Sequence, residues 1–150
     1  MLLFIMTMNK KVIHVALLLL VAFMAMGVAS IDSKKDGIAF FKGSFADALQ
    51  QSKLQKKPVF LHVYATWCGP CKKLKRTSYK DAAVGAYYNK NFINVMVDGE
   101  TEEGRALVYH YQVSSYPTLL IVDSNGRRLA TAEGFMEPYI LINFGRRVVP

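Results

Sequence analysis

Two cysteines, Cys68 and Cys71, lie three positions apart in this chain of 150 residues and could form a reactive thiol pair. They are its only cysteines, and they enclose Gly69 and Pro70. On a helix, residues at this spacing return to the same side with Cα atoms about 5–6 Å apart, which a disulfide bridges without strain. A bridge around so short a loop constrains the unfolded chain very little, which argues against a structural staple. The pair therefore predicts reversible dithiol–disulfide exchange.

The elements around the pair favour a reactive first cysteine. An apolar run over 59–65 predicts a buried strand, and a run of helical composition follows over 72–79. Pro70 suits the first turn of that helix, which places Cys68 at or just before the helix N-terminus. Free backbone N–H groups and the positive end of the helix dipole favour a thiolate there. We therefore expect an exposed, largely ionised Cys68, with Cys71 ready to resolve the mixed disulfide.

The composition argues against nucleic-acid and metal binding. The chain is basic, with a formal net charge of +8 at pH 7, and we interpret most of this charge as solvated surface. One cysteine pair with scattered His62 and His110 supplies too few ligands for a zinc site. The densest basic cluster directly follows the cysteines and is expected to favour the thiolate and attract acidic partners. Its members are Lys72, Lys73, Lys75 and Arg76.

The first part of the chain has the composition of a secretory signal peptide. A short positive segment precedes an unbroken apolar run over 15–26, which is short for a membrane span. Small residues follow, so we predict a signal peptide over 1–29, with cleavage near Ala29 or Ser30, and then a flexible lead over 30–37. An uncleaved anchor that tethers the same domain outside the membrane stays open as an alternative.

The remaining residues, 38–150, are predicted to form one α/β domain, a central mixed sheet with helices on both faces. Ser44 is the expected cap of the first helix, whose buried stripe includes Leu54. Asn-Gly at 125–126 predicts a hairpin, and residues 98–103 are expected to form a solvated turn and helix start. In chain order we predict a strand over 38–41, a helix from Ser44, a strand over 59–65, the cysteine helix, a helix over 81–89, a strand over 92–97, a helix over 102–111, strands over 118–122 and 128–132, and a helix from Pro138.

Over 38–148 the chain resembles the thioredoxin superfamily. The segment Trp67-Cys68-Gly69-Pro70-Cys71-Lys72 matches the active-site motif of that family without a gap. Tyr116-Pro117-Thr118 matches the segment in which the family carries a cis-proline beside the dithiol. Further likeness is to a branch that holds exported thioredoxin-like proteins and the C-terminal domain of the membrane thiol:disulfide interchange reductase. The segments that carry it are 45–49, 79–92 and 97–98.

The resemblance implies a thioredoxin fold and a substrate groove beside the cysteines. Pro117 has no N–H that could compete for the thiolate, and it leaves a backbone edge free for an extended substrate segment. The other residues expected to frame this groove are Trp67, Gly69, Pro70 and Tyr116. Tyr116 could line the groove or pack beneath it.

Two departures from the family pattern concern proton transfer. Six positions before the first cysteine the family commonly has a buried acid that moves a proton to or from the second thiol, whereas this chain has His62. A histidine could do similar acid–base work, or it could simply pack. The lysine that often accompanies the acid is replaced by Asn94 when the sequences are aligned on Asp98.

The expected activity is that of an exported thiol–disulfide oxidoreductase of the periplasm. Gly69-Pro70 resembles the reducing thioredoxins, so a reductase is favoured, with no cofactor beyond the Cys68–Cys71 disulfide. Its expected partners are disulfide-bonded extracytoplasmic proteins and a membrane electron donor, and a monomer is expected. Two alternatives stay open: a disulfide oxidant or isomerase, and a non-catalytic binding module with a regulatory dithiol.

Overall fold

A computed structural model describes residues 37–150 of the chain. The predicted signal peptide over 1–29, and all but the last residue of the predicted lead over 30–37, lie outside the described residues. Within 37–150, no helix has the length and apolar character that a membrane span requires. The helices are α1 (Phe45–Gln55), α2 (Gly69–Arg76), α3 (Ala82–Asn91), α4 (Glu102–Tyr111) and α5 (Pro138–Arg146), and a 3₁₀ turn covers Ser78–Lys80. The strands are β1 (Val59–Tyr64), β2 (Ile93–Asp98), β3 (Thr118–Val122) and β4 (Arg128–Glu133).

The four strands form one mixed sheet in the order β2-β1-β3-β4. β1 pairs parallel with β2 and antiparallel with β3, and β3 pairs antiparallel with β4 across the predicted hairpin. β1 therefore lies inside the sheet, which explains its near-continuous apolar sequence. Because Cys68 follows β1 within a few residues, the cysteine pair lies beyond the C-terminal end of this interior strand.

Helices cover both faces of the sheet, as the sequence predicts. On one face, Phe45 of α1 and Leu107 of α4 pack against alternate residues of β1, among them Leu61. On the other face, helices α2, α3 and α5 pack against the intervening positions of the strands. Their buried contacts include Leu74, Tyr88 and Phe144.

Helix starts follow the capping chemistry of the sequence. The Ser44 hydroxyl accepts from the Asp47 backbone N–H at 3.1 Å, and the Asp47 carboxylate accepts from the Ser44 N–H at 3.0 Å. This reciprocal pair is a capping box. Asp81 and Thr101 cap α3 and α4, and Pro138 occupies the first turn of α5.

Two sequence predictions about the periphery are wrong. Residues 38–41 form no strand, because they do not build a hydrogen-bonded ladder with β2. A single backbone hydrogen bond joins the segment to that strand, from the Phe41 N–H to the Asn94 carbonyl. The Ala39 N–H instead bonds the Asn89 side chain. Leu54 is 76% exposed, because it lies in the last turn of α1 on the side that faces away from the sheet.

Candidate active site

Cys68 is the N-cap of α2, and Pro70 occupies the first turn of the helix. The Cys68 sulfur accepts from the Cys71 backbone N–H at 3.1 Å, so it takes the place of an ordinary capping oxygen. The two cysteines are joined in a disulfide, with Cα atoms 5.3 Å apart. Gly69 and Pro70, between them, are exposed. The sequence prediction of a cysteine pair at a helix N-terminus is therefore confirmed.

The predicted exposure of Cys68 is wrong for this disulfide form. Cys68 is 2% exposed and Cys71 is 1% exposed. The reason is that both belong to a small buried cluster with Ala65, against which the rings of Tyr64 and Tyr116 pack. A partner that attacks the sulfur must therefore approach between the exposed neighbouring residues or displace one of these rings.

Pro117 and Tyr116 lie where the resemblance implies. The bond between them is cis. Pro117 directly precedes β3, whose Thr118 pairs with Val63 of β1, so the proline is brought to the strand end that carries the cysteines. Tyr116 does both things left open by the sequence: it packs against the cysteine cluster and remains half-exposed at its edge.

Trp67 is fixed by a residue whose role the sequence prediction missed. Its indole N–H donates to the Glu100 carboxylate at 2.8 Å, and its ring meets the edge of the Tyr116 ring at 5.9 Å between centroids. Trp67 itself is 64% exposed. The segment over 98–103 is therefore more than a solvated turn. No local pattern could reveal this contact, because the two partners are far apart in the sequence.

His62 lies in the core beneath the site. It is fully buried, its ring lies 5.6 Å from Tyr64 and 5.5 Å from Tyr79, and neither of its nitrogens has a hydrogen-bond partner among the described residues. Burial, and then the charge of Lys75, lower the pKa of His62 from 6.5 to about 3. The imidazole is therefore neutral at physiological pH.

The strand register identifies the residue that pairs with His62. Its neighbour on β2 is Met96, which supplies no charge. Asn94 instead directs its side-chain N–H groups to the Ala39 carbonyl at 3.3 Å and to the Asn89 side chain at 3.2 Å. The expectation that Asn94 replaces the family's lysine concerns an aligned position, and it stays a prediction.

No other centre among the described residues competes with the dithiol. Within 37–150, no group of three or more His, Cys, Asp or Glu side chains could hold a metal ion. A pocket of about 410 Å³ opens at the other end of the sheet and shares no residue with the cysteine site. Its lining includes Lys56, Pro58 and Leu129.

Comparisons with known proteins agree with this geometry. The family model described as a thioredoxin-like domain matches residues 45–148. The chain is 31% identical over 111 residues to the thiol:disulfide interchange protein DsbD of Tatumella citrea. The aligned region covers 72% of this chain and 19% of that protein. The chain therefore belongs to the thioredoxin-like family. Within the family it is related to the thiol–disulfide oxidoreductases, although it spans only about a fifth of the DsbD relatives that it matches.

Two solved structures extend the likeness. A solution structure from Bacteroides thetaiotaomicron, whose assignment as a disulphide-isomerase is itself a proposal, has a TM-score of 0.65 and 39% identity, and covers 72% of this chain and 89% of that one. The oxidised C-terminal domain of DsbD from Neisseria meningitidis has a TM-score of 0.61 and 26% identity, with 73% and 98% covered. The thioredoxin fold and the resemblance to this branch are both confirmed.

Proposed function

We propose that this protein is an exported thioredoxin-like oxidoreductase that reduces disulfides of extracytoplasmic proteins. The observation that carries the proposal is the Cys68–Cys71 pair at the N-terminus of α2. In the reduced protein, the Cys68 thiolate attacks a partner disulfide, forms a mixed disulfide and releases one partner sulfur as a thiolate. Cys71 then attacks Cys68 and releases the second partner sulfur. Two electrons pass from the dithiol to the partner, and no cofactor is needed.

The proposed direction of the reaction rests on the residues between the cysteines, and the proposed electron source rests on the relatives. Gly69 and Pro70 support the reductase direction through their resemblance to reducing thioredoxins. A reductase outside the cytoplasm must be recharged, and we propose a membrane electron donor of the thiol:disulfide interchange type. The relatives named DsbD support this choice. The signal-peptide composition of residues 1–29 supports the periplasmic location, with membrane attachment only where that segment stays uncleaved.

The activity is tested by reduction of insulin disulfides in the presence of dithiothreitol. We expect the unsubstituted protein to accelerate the reaction and Cys68→Ser to abolish the acceleration. Cys71→Ser should accumulate a mixed disulfide that is visible by non-reducing electrophoresis, because the resolving thiol is missing. Equal rates for the unsubstituted protein and Cys68→Ser would contradict the proposal. Mass spectrometry of the mature N-terminus checks cleavage near Ala29 or Ser30.

A second candidate is a disulfide isomerase or oxidant. The Bacteroides thetaiotaomicron neighbour carries an isomerase assignment, which is the specific observation in its favour. Equilibration with glutathione separates the two candidates, since a reduction potential of about −270 mV indicates a reductase and one of about −120 mV an oxidant. Reactivation of scrambled ribonuclease reports isomerase activity directly. A binding module with a regulatory dithiol would keep its function in the Cys68→Ser, Cys71→Ser double variant.

A further inference from the structure

Lys75 differs from the other cations that follow the cysteines. It is half-buried, whereas Lys72, Lys73 and Arg76 are exposed. It is also the fourth residue after Cys71 on α2, and side chains four apart on a helix are neighbours, with Cβ atoms about 5–6 Å apart. Lys75 therefore starts one turn beyond the resolving cysteine on the same face of the helix.

The Lys75 ammonium group is held against the ring that borders the disulfide. Its nitrogen lies 3.4 Å from the centroid of the Tyr64 ring. That ring packs against the buried cluster that contains Cys68 and Cys71. An aromatic face attracts a cation through the electrostatic field of the ring. The positive charge of Lys75 is thus held on the ring that packs against the dithiol cluster.

Two of the titratable groups around Lys75 are neutral, and a third, Asp98, is a carboxylate whose charge is opposite to that of Lys75. His62, on β1, is neutral because its pKa is lowered, and burial raises the pKa of Tyr79, from the 3₁₀ turn, well above its usual value. The remaining charge is Asp98, which lies opposite Tyr64 on β2 and accepts from the Glu100 backbone N–H at 3.0 Å. Burial lowers the pKa of Lys75, and the Asp98 carboxylate acts in the opposite direction.

The second cysteine has a particular need for such a charge. Cys71 is 1% exposed, and burial in apolar surroundings raises the pKa of a thiol. Cys68 can draw on the N-terminus of α2, whereas Cys71 lies inside the first turn of that helix. His62 is a poor proton acceptor at physiological pH, because its pKa of about 3 lies far below that of a thiol.

We propose that Lys75 stabilises the Cys71 thiolate through its charge, an inference that rests on the proposed function. In the step concerned, the Cys71 thiolate attacks the Cys68 sulfur of the mixed disulfide. The Cys68–Cys71 bond forms, the bond to the partner breaks, and the partner sulfur leaves with the electron pair. The proton lost by Cys71 passes to solvent, from which the departing thiolate is protonated. Lys75 neither gives nor takes a proton in this step.

The pKa of Cys71 is the direct measurement. In a Cys68→Ser background a single thiol titrates, and its ultraviolet thiolate absorbance follows the titration. We expect Lys75→Met to raise the Cys71 pKa by about one unit, and Lys75→Arg to leave it nearly unchanged because the charge is kept. Lys73→Met is the matched control, since it removes the same charge from the same helix. The Lys73 ammonium lies 3.9 Å from the Phe135 ring and 4.0 Å from Glu137.

The rate of resolution gives an independent readout in the protein with both cysteines. A mixed disulfide of Cys68 with thionitrobenzoate releases its chromophore when Cys71 attacks. At pH values below the Cys71 pKa, Lys75→Met should release it roughly threefold more slowly, since fewer thiolates are partly offset by higher nucleophilicity. At pH values above the Cys71 pKa of both the unsubstituted protein and Lys75→Met, release from Lys75→Met should be the faster. The pH–rate profiles of the two proteins therefore cross. A purely structural role for Lys75 would not produce this crossing.

The outcomes separate the two proposals. An unchanged Cys71 pKa in Lys75→Met, or an equal shift in Lys73→Met, would overturn the role of Lys75. Circular dichroism checks that the variants fold. Lys75→Gln is measured in place of Lys75→Met if Lys75→Met does not fold. Failure of the unsubstituted protein to reduce insulin would count against the proposed function alone, because the Cys71 pKa is compared without any substrate.

Discussion

The indole N–H of Trp67 donates to the carboxylate of Glu100 at 2.8 Å, across 33 positions of sequence. The tryptophan is mostly exposed, so burial alone does not fix its ring. The hydrogen bond and the edge contact with Tyr116 hold it beside the dithiol. Glu100 therefore positions a side chain that the resemblance assigns to the substrate groove.

Glu100→Ala should free the indole and weaken the docking of protein substrates. We expect KM for a protein disulfide to rise about two- to fivefold, with kcat little changed, because one hydrogen bond to a charged group is lost at an exposed site. Trp67 is the only tryptophan of the chain, so its fluorescence reports the change directly. Glu100→Gln is the matched control, since its amide oxygen can still accept. Equal effects of the two variants would assign the role to charge rather than to the hydrogen bond.

Gly99→Ala should disturb the site through Tyr116. A Cβ atom at Gly99 would overlap the Tyr116 hydroxyl, whereas one at Gly69 would meet no atom within 4 Å. Overpacking of this kind typically destabilises a protein by about 1–3 kcal/mol. We expect a lower free energy of unfolding for Gly99→Ala, measured in urea, and a stability close to that of the unsubstituted protein for Gly69→Ala. Equal stabilities would show that Tyr116 yields without cost.

His62 should make folding sensitive to acid. Its pKa falls from 6.5 to about 3 on burial, so below pH 6.5 the unfolded chain takes up a proton that the folded protein excludes. The folded state therefore loses stability as pH drops from 6.5 towards 3, by at most about 1.4 kcal/mol per pH unit from this group. Denaturant unfolding at a series of pH values measures the slope.

The matched variants for this slope are His62→Leu and His110→Gln. His62→Leu should flatten the dependence between pH 6.5 and pH 4, whereas His110→Gln should retain it, since His110 is exposed. An unchanged slope in His62→Leu would mean that other groups cause the acid sensitivity.

A proton-relay role for His62 remains a prediction with its own test. His62→Ala should slow the reduction of substrates and alter the pH–rate profile, if the imidazole carries a proton to or from Cys71. Neutral, buried and without a hydrogen-bond partner in the described part of the chain, His62 is better suited to packing than to accepting a proton. A slower reaction with an unchanged pH–rate profile would assign His62 a packing role. Insulin reduction over a range of pH measures both the rate and its pH dependence.

Local sequence was sufficient for the features that depend on neighbours along the chain. The helix start at Cys68 follows from Pro70 and from the spacing of the cysteines, and the cap at Ser44 follows from Asp47. The interior position of β1 follows from its near-continuous apolar run, which is typical of a strand covered on both faces. The motif and the Tyr116-Pro117-Thr118 segment then placed the chain in its family.

The remaining features depend on contacts between distant segments, which form only when the chain folds. The burial of Cys68 depends on Tyr116, the anchoring of Trp67 depends on Glu100, and the neighbour of His62 is set by the pairing of β1 with β2. The 38–41 segment has strand-like residues but lacks a hydrogen-bonded ladder. Sequence patterns record the preferences of a residue and its near neighbours, whereas exposure, register and long-range hydrogen bonds are fixed only when the elements pack together.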